Sequence, residues 1–145
     1  MTLRLGISLL GVFLLLLPAW ASWEPLVSVA AGTVLGYVGG HLGAATGAAL
    51  AQAAGVGLVD GFLGPVLFGY VGYAAGSTLG AWIGVTWTGF QLGLSPDPQW
   101  GFLGASLGTG LAFFLASFTD WEWALLLSPP LASLGAALFG FWEAR

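Results

Sequence analysis

Gly39-Gly40-His41-Leu42-Gly43-Ala44-Ala45-Thr46-Gly47 places glycine at every fourth position, and the row continues through Ala51 to Gly55. A second row stands at Gly72, Gly76, Gly80 and Gly84. In a water-soluble helix each internal glycine costs roughly 1 kcal/mol relative to alanine, so rows of this length need a setting where close backbone approach outweighs the loss. A bilayer is such a setting. Lipid tails are as apolar as leucine, so helices gain little hydrophobic energy by touching, and small residues four apart let two backbones approach for dispersion contacts. Gly32 and Gly36 lead into the first row, and Gly104 and Gly108 open a third that continues as Ala112 and Ala116. These glycines are the candidate helix-packing residues, and the fold they predict is all-α, a bundle of transmembrane helices with GxxxG contacts.

Composition points the same way. Of 145 residues, 58% are hydrophobic and 6% charged, against roughly 25% charged in an ordinary soluble domain. The chain lacks the polar residues to cover a surface in water. The same shortage argues against a β-barrel, whose lumen needs a polar residue at every other position. The six acids are scattered, only Arg4 and Arg145 oppose them, and the net charge is −4. Nothing here could neutralise a run of phosphates, so nucleic acid is not an expected partner. The expected surroundings are the lipid bilayer and a second copy of the chain or another membrane protein.

Residues 1–21 have the layout of a signal peptide. Arg4 supplies the positive end, residues 9–17 the apolar run, Pro18 a break, and Ala19-Trp20-Ala21 a small-x-small cleavage pattern. An uncleaved N-terminal anchor is the alternative. With Arg4 inside, either outcome sends Ser22 across the membrane, and the bacterial inner membrane is the expected location. Residues 22–145 then form one glycine-rich transmembrane domain, with spans expected at about residues 26–56, 66–92 and 100–118 and a fourth after residue 121. Trp20, Trp23, Trp100, Trp121, Trp123 and Trp142 fall near the predicted span ends, the pattern of an interfacial aromatic belt.

Pro129-Pro130 interrupts the last segment. An internal proline removes one helical hydrogen bond and clashes with the carbonyl four residues earlier. From Pro130 to Trp142 only about 20 Å of helix remains, short of the ~30 Å hydrocarbon core. The last helix is therefore expected to be broken: kinked, re-entrant, or built from two half-helices with Ser128 as the second N-cap.

Candidate chemistry is sparse. His41 is the only histidine, and a titratable group inside a membrane segment is a functional candidate by default. One histidine without carboxylates makes no metal site, and no HExxH or P-loop pattern occurs. Asp120 and Glu122 share one short connector and do not face each other as a catalytic pair would. No catalytic residue, metal or cofactor is expected. His41, Pro129 and Pro130 are kept as the candidate residues of a pathway. The motif Gly36-Tyr37-Val38-Gly39 recurs as Gly69-Tyr70-Val71-Gly72, and at the same offset Gly43 falls on Gly76 and Gly47 on Gly80. That is the pattern a duplicated segment would leave.

The rows from Gly39 to Gly55 and from Gly72 to Gly84, with the ending Ser128-Pro129-Pro130-Leu131-Ala132, resemble the glycine-zipper segments of small bacterial membrane proteins. The mitochondrial Tim17/Tim23 translocase family is similar in its glycine rows alone. The resemblance implies a packing mode and assembly in the membrane, and transfers no catalytic residue. The expected function is a structural or assembly-type integral membrane protein, not an enzyme. A small pore, holin-like protein or transporter is the rival expectation.

Overall fold

The computed structural model describes residues 23–56 and 63–142. The expected signal segment, the turn at Asp60 and the terminal Glu143 and Arg145 lie outside the described residues. Four helices follow one another: α1 (Glu24–Ala53), α2 (Leu63–Gln91), α3 (Pro98–Ala116) and α4 (Glu122–Gly140). The described residues contain no strand, so the all-α expectation holds.

Local chemistry explains where the helices begin and end. Pro25 sits in the first turn of α1, where its missing N–H costs nothing. α3 starts on an N-cap: Asp97 Oδ1 accepts the Gln99 N–H at 2.8 Å and the Trp100 N–H at 3.0 Å. α1 and α2 end just before Gly55 and Gly93, at φ 63° and 77°. Those left-handed residues turn the chain back so that the Val56 N–H reaches the Ala51 carbonyl and the Leu94 N–H reaches that of Gly89. Asp97→Ala is expected to cost about 1 kcal/mol and Asp97→Ser much less, measured by reversible unfolding in mixed micelles.

Packing is inverted relative to a water-soluble protein. The fully buried side chains are small: Ala81, Ala105, Ala112, Ala124, Ala132 and Ala136, together with Ser28, Ser77, Ser128 and Ser133. Large apolar side chains point outward instead, among them Val34, Val38, Leu42, Val71, Leu79, Trp87, Leu107 and Phe114. Where α2, α3 and α4 meet, Ala81, Val85, Ala105, Ala132, Ala136 and Ala137 form the core, with Trp82 and Phe141 against it. Trp82 also donates its indole N–H to the Pro98 carbonyl at 2.8 Å, which ties α2 to the start of α3. α1 contacts α2 and α4 but not α3.

The two long helices lie antiparallel and extremely close. A Cβ built on Gly39 would run into the Gly76 carbonyl, one on Gly43 into that of Gly72, one on Gly47 into that of Phe68, and one on Gly80 into that of Leu35. Each four-residue step up α1 is thus matched by a four-residue step down α2. In place of Cβ, the second α-hydrogen of each glycine is aimed at the opposing carbonyl, a weak C–H···O contact worth about 0.5–1 kcal/mol. The α3–α4 pair repeats the arrangement, with Gly104 against Gly135 and Gly108 against the Leu131 carbonyl. Gly32, Gly36 and Gly40 form a further row on α1 that faces Val85, Pro129 and the Tyr73 ring.

Three helices, α1, α2 and α4, are long and apolar enough to cross a membrane. α3, expected as a span over about residues 100–118, falls outside that set. Its 19 residues include Gln99, Ser106, Thr109 and several glycines, which dilute its hydropathy. α4 is a single helix with Ser128, Pro129 and Pro130 inside it, so of the expected forms the one with two half-helices capped by Ser128 is not adopted. Its 19 residues span about 28 Å. The continuity has a physical basis: the carbonyls that lose their helical donors find hydroxyls elsewhere.

Candidate functional site

Pro129 and Pro130 cannot donate to the carbonyls four residues earlier, those of Leu125 and Leu126. Tyr73, on α2, donates its hydroxyl to the Leu125 carbonyl at 2.6 Å. Tyr37, on α1, donates to the Leu126 carbonyl at 2.6 Å. Each orphaned acceptor therefore receives one hydroxyl, each from a different helix. Gly36 and Gly40 make the arrangement sterically possible. A Cβ on Gly36 would stand 2.9 Å from Pro129 Cβ, and one on Gly40 2.8 Å from the Tyr73 ring.

Further hydroxyls continue the polar seam. Ser77 and Ser128 are joined at 2.7 Å, and Ser77 Oγ also lies 3.1 Å from the Ala74 carbonyl. With one proton per hydroxyl, Ser77 donates to Ala74 and Ser128 donates to Ser77. Thr78 donates to the Ala74 carbonyl at 2.8 Å, which leaves Thr109 as the donor in the 2.7 Å Thr78–Thr109 bond between α2 and α3. Ser133 donates to the Pro129 carbonyl at 2.7 Å. All these hydroxyls are buried, and their pairing satisfies polar groups that would otherwise be costly in an apolar interior.

Beside this seam an open groove of about 540 Å³ runs between α1, α2 and the start of α4, with His41, Ala44, Gln52, Gly69, Tyr70 and Leu125 on its walls. His41 is exposed there. Its Nδ1 lies 2.8 Å from the Tyr37 carbonyl, an acceptor, so Nδ1 carries the proton and donates. In the neutral ring that leaves Nε2 with a free lone pair. The imidazole packs edge-on against Tyr73 with centroids 5.6 Å apart.

The three candidate pathway residues therefore converge. His41 touches Tyr37 and Tyr73, and those tyrosines hold the carbonyls freed by Pro130 and Pro129. Among the described residues no group of three His, Asp or Glu side chains gathers that could hold a metal. Asp97 and the Asp120/Glu122 connector lie at opposite ends of α3, and neither lines the groove. This chain matches no known protein family, no curated protein and no solved structure.

Sequence reasoning missed Tyr37 and Tyr73 as partners of the prolines, although it marked Tyr37 in the repeated motif. A signal was available. Two adjacent prolines inside an apolar helix orphan two carbonyls, and few residues in such a chain can supply an O–H over the distance between helices. The repeated motif also diverges in use. Tyr70, at the position corresponding to Tyr37, sets its ring 6.0 Å from that of Trp121.

Proposed function

We propose that this chain is an integral membrane protein of structural or assembly type, whose glycine-zipper helices pack against one another and against a second copy or another membrane protein. One observation carries the reading: small and hydroxylated side chains fill the interior while Val, Leu, Phe and Trp face outward. In water that outward face would be a large continuous apolar patch of the kind soluble monomers avoid. In lipid it is the favourable arrangement. The resemblance to glycine-zipper proteins of bacterial membranes supports the inner membrane as its location, and the layout of residues 1–21 supports export by a signal or anchor.

A second reading, a small pore, holin-like protein or transporter, has one observation in its favour. His41 lines a groove bounded by the segment of α4 that precedes the proline pair. Of the two, the assembly reading has the stronger support, because among the described residues no carboxylate lines the groove with His41 to share or relay a proton. Under it His41→Ala leaves membrane abundance and oligomeric state unchanged and alters no flux. The measurement is native mass in mild detergent together with ion and proton flux into liposomes containing the purified chain. A flux that His41→Ala abolishes without changing abundance or assembly would replace this reading with the transport one.

A further inference from the structure

We propose that Tyr37 and Tyr73 form a two-hydroxyl latch on a proline hinge in α4, holding residues 122–128 against α1 and α2 and thereby closing one wall of the His41 groove. The inference goes beyond the assembly reading and does not depend on it.

Three observations carry it. First, the acceptors are those orphaned by the prolines. Tyr73 binds the Leu125 carbonyl and Tyr37 the Leu126 carbonyl, each at 2.6 Å, and these are the positions four residues before Pro129 and Pro130. Secondly, both donors lie on other helices. An ordinary helical bond moves with its own helix, whereas a hydroxyl from α1 or α2 tethers α4 from outside, so that the tyrosine bonds replacing the missing pair are ones that tertiary motion can break. Thirdly, the latch adjoins the groove. Leu125 and Tyr73 both line it, and His41 leans on the Tyr73 ring.

The chemistry sets the mechanism. Two consecutive missing bonds remove the restraint that keeps residues 122–128 in line with residues 131–140, and proline pairs are sites where helices bend. With both hydroxyls in place the bend is held closed. Without them, the freed carbonyls must find other donors or turn toward a wet cavity, and the groove that Leu125 lines is open space beside them. The Ser77–Ser128 bond lies at the hinge itself and serves as its pivot contact.

The test is a double-mutant cycle on the full chain, unfolded reversibly in mixed micelles. Tyr37→Phe keeps the ring and removes the hydroxyl, and is expected to lower the folded-to-unfolded ratio by about tenfold, the upper range for interhelical hydrogen bonds, because no helical donor competes for that carbonyl. In a Pro130→Ala background residue 130 has an N–H of its own to give Leu126, and Tyr37→Phe is expected to change the ratio by less than about twofold. Tyr73→Phe with Pro129→Ala is the parallel cycle; Pro130, half-buried, leaves the Tyr37 cycle interpretable if the fully buried Pro129 does not tolerate replacement. Equal effects of Tyr37→Phe with and without Pro130 would overturn the assignment.

Motion is read separately. Spin labels at Trp123→Cys on α4 and Leu50→Cys on α1, both exposed sites, are expected to give one narrow distance in the parent chain. Combined Tyr37→Phe and Tyr73→Phe should broaden and lengthen it, and Pro130→Ala added to that chain should narrow it again. A distribution that the two Phe substitutions leave unchanged would show that the hydroxyls stabilise α4 without latching it.

Discussion

Gly43→Leu is expected to prevent α1 and α2 from associating, with loss of the folded chain from the membrane. Even the first carbon of the new side chain would fall onto the Gly72 carbonyl, and that atom is backbone, so no rotamer change relieves the clash. The helices must separate along their length, and the reciprocal contacts at Gly39, Gly47 and Gly76 go with it. Gly76→Leu meets the same fate against the Gly39 carbonyl. Overpacking a tight core ordinarily costs about 1–3 kcal/mol; here the obstacle is rigid on both sides, so the cost lies at or above that range. Two controls isolate the cause. Gly110 has nothing within 4 Å of a built Cβ, so Gly110→Ala is expected to be neutral or to stabilise by up to about 1 kcal/mol through helix propensity. Leu111, exposed on α3, is expected to tolerate Leu111→Ala. Folded yield and resistance to SDS unfolding are the readouts, and similar behaviour at Gly43 and Gly110 would mean that the glycine rows do not carry the packing.

Val38→Asp is the second large effect, and it separates a bilayer protein from one in water. Val38 lies at the middle of α1 and is 51% exposed. On a water-soluble surface such a change falls within about ±0.5 kcal/mol. At the centre of a membrane helix aspartate costs about 3 kcal/mol on insertion scales, roughly a hundredfold in the inserted fraction. Leu79→Asp, at a comparable place on α2, is expected to behave alike. Phe118, 73% exposed just beyond the end of α3, sits where water is near, and Phe118→Asp is expected to be tolerated. The fraction of chain resisting alkaline extraction from membranes measures all three, and free tolerance of Val38→Asp would remove the membrane reading.

Much of this fold is legible in the sequence because its signals are local. Recurrence every four residues needs only one helix to be seen, which is why Gly39, Gly43, Gly47, Gly72, Gly76 and Gly80 stand out. Helix ends are local too: Pro25, Asp97 and Gly93 act on their own neighbours. Apolar length marks α1 and α2 as spanning helices. It is a less decisive guide for α3, whose small and polar residues lower its hydropathy. At the proline pair, the lost hydrogen bonds are legible from Pro129 and Pro130 themselves. Whether the helix kinks, breaks or runs on is not legible there, because the replacement donors, Tyr37 and Tyr73, lie far away in sequence.

What the sequence by itself determined is the class of the molecule: an all-helical chain, too apolar for water, with small residues spaced for backbone contact. Those properties follow from composition and from periodicity within single helices. What only the tertiary structure decided is which rows meet, that Gly43 opposes Gly72 while Gly36 makes room for Pro129, and that two tyrosines keep α4 whole. The physical reason is that a glycine row offers space without naming an occupant, and an orphaned carbonyl accepts any hydroxyl that reaches it. The choice among partners is made by distance, and distance between helices exists only once they have packed.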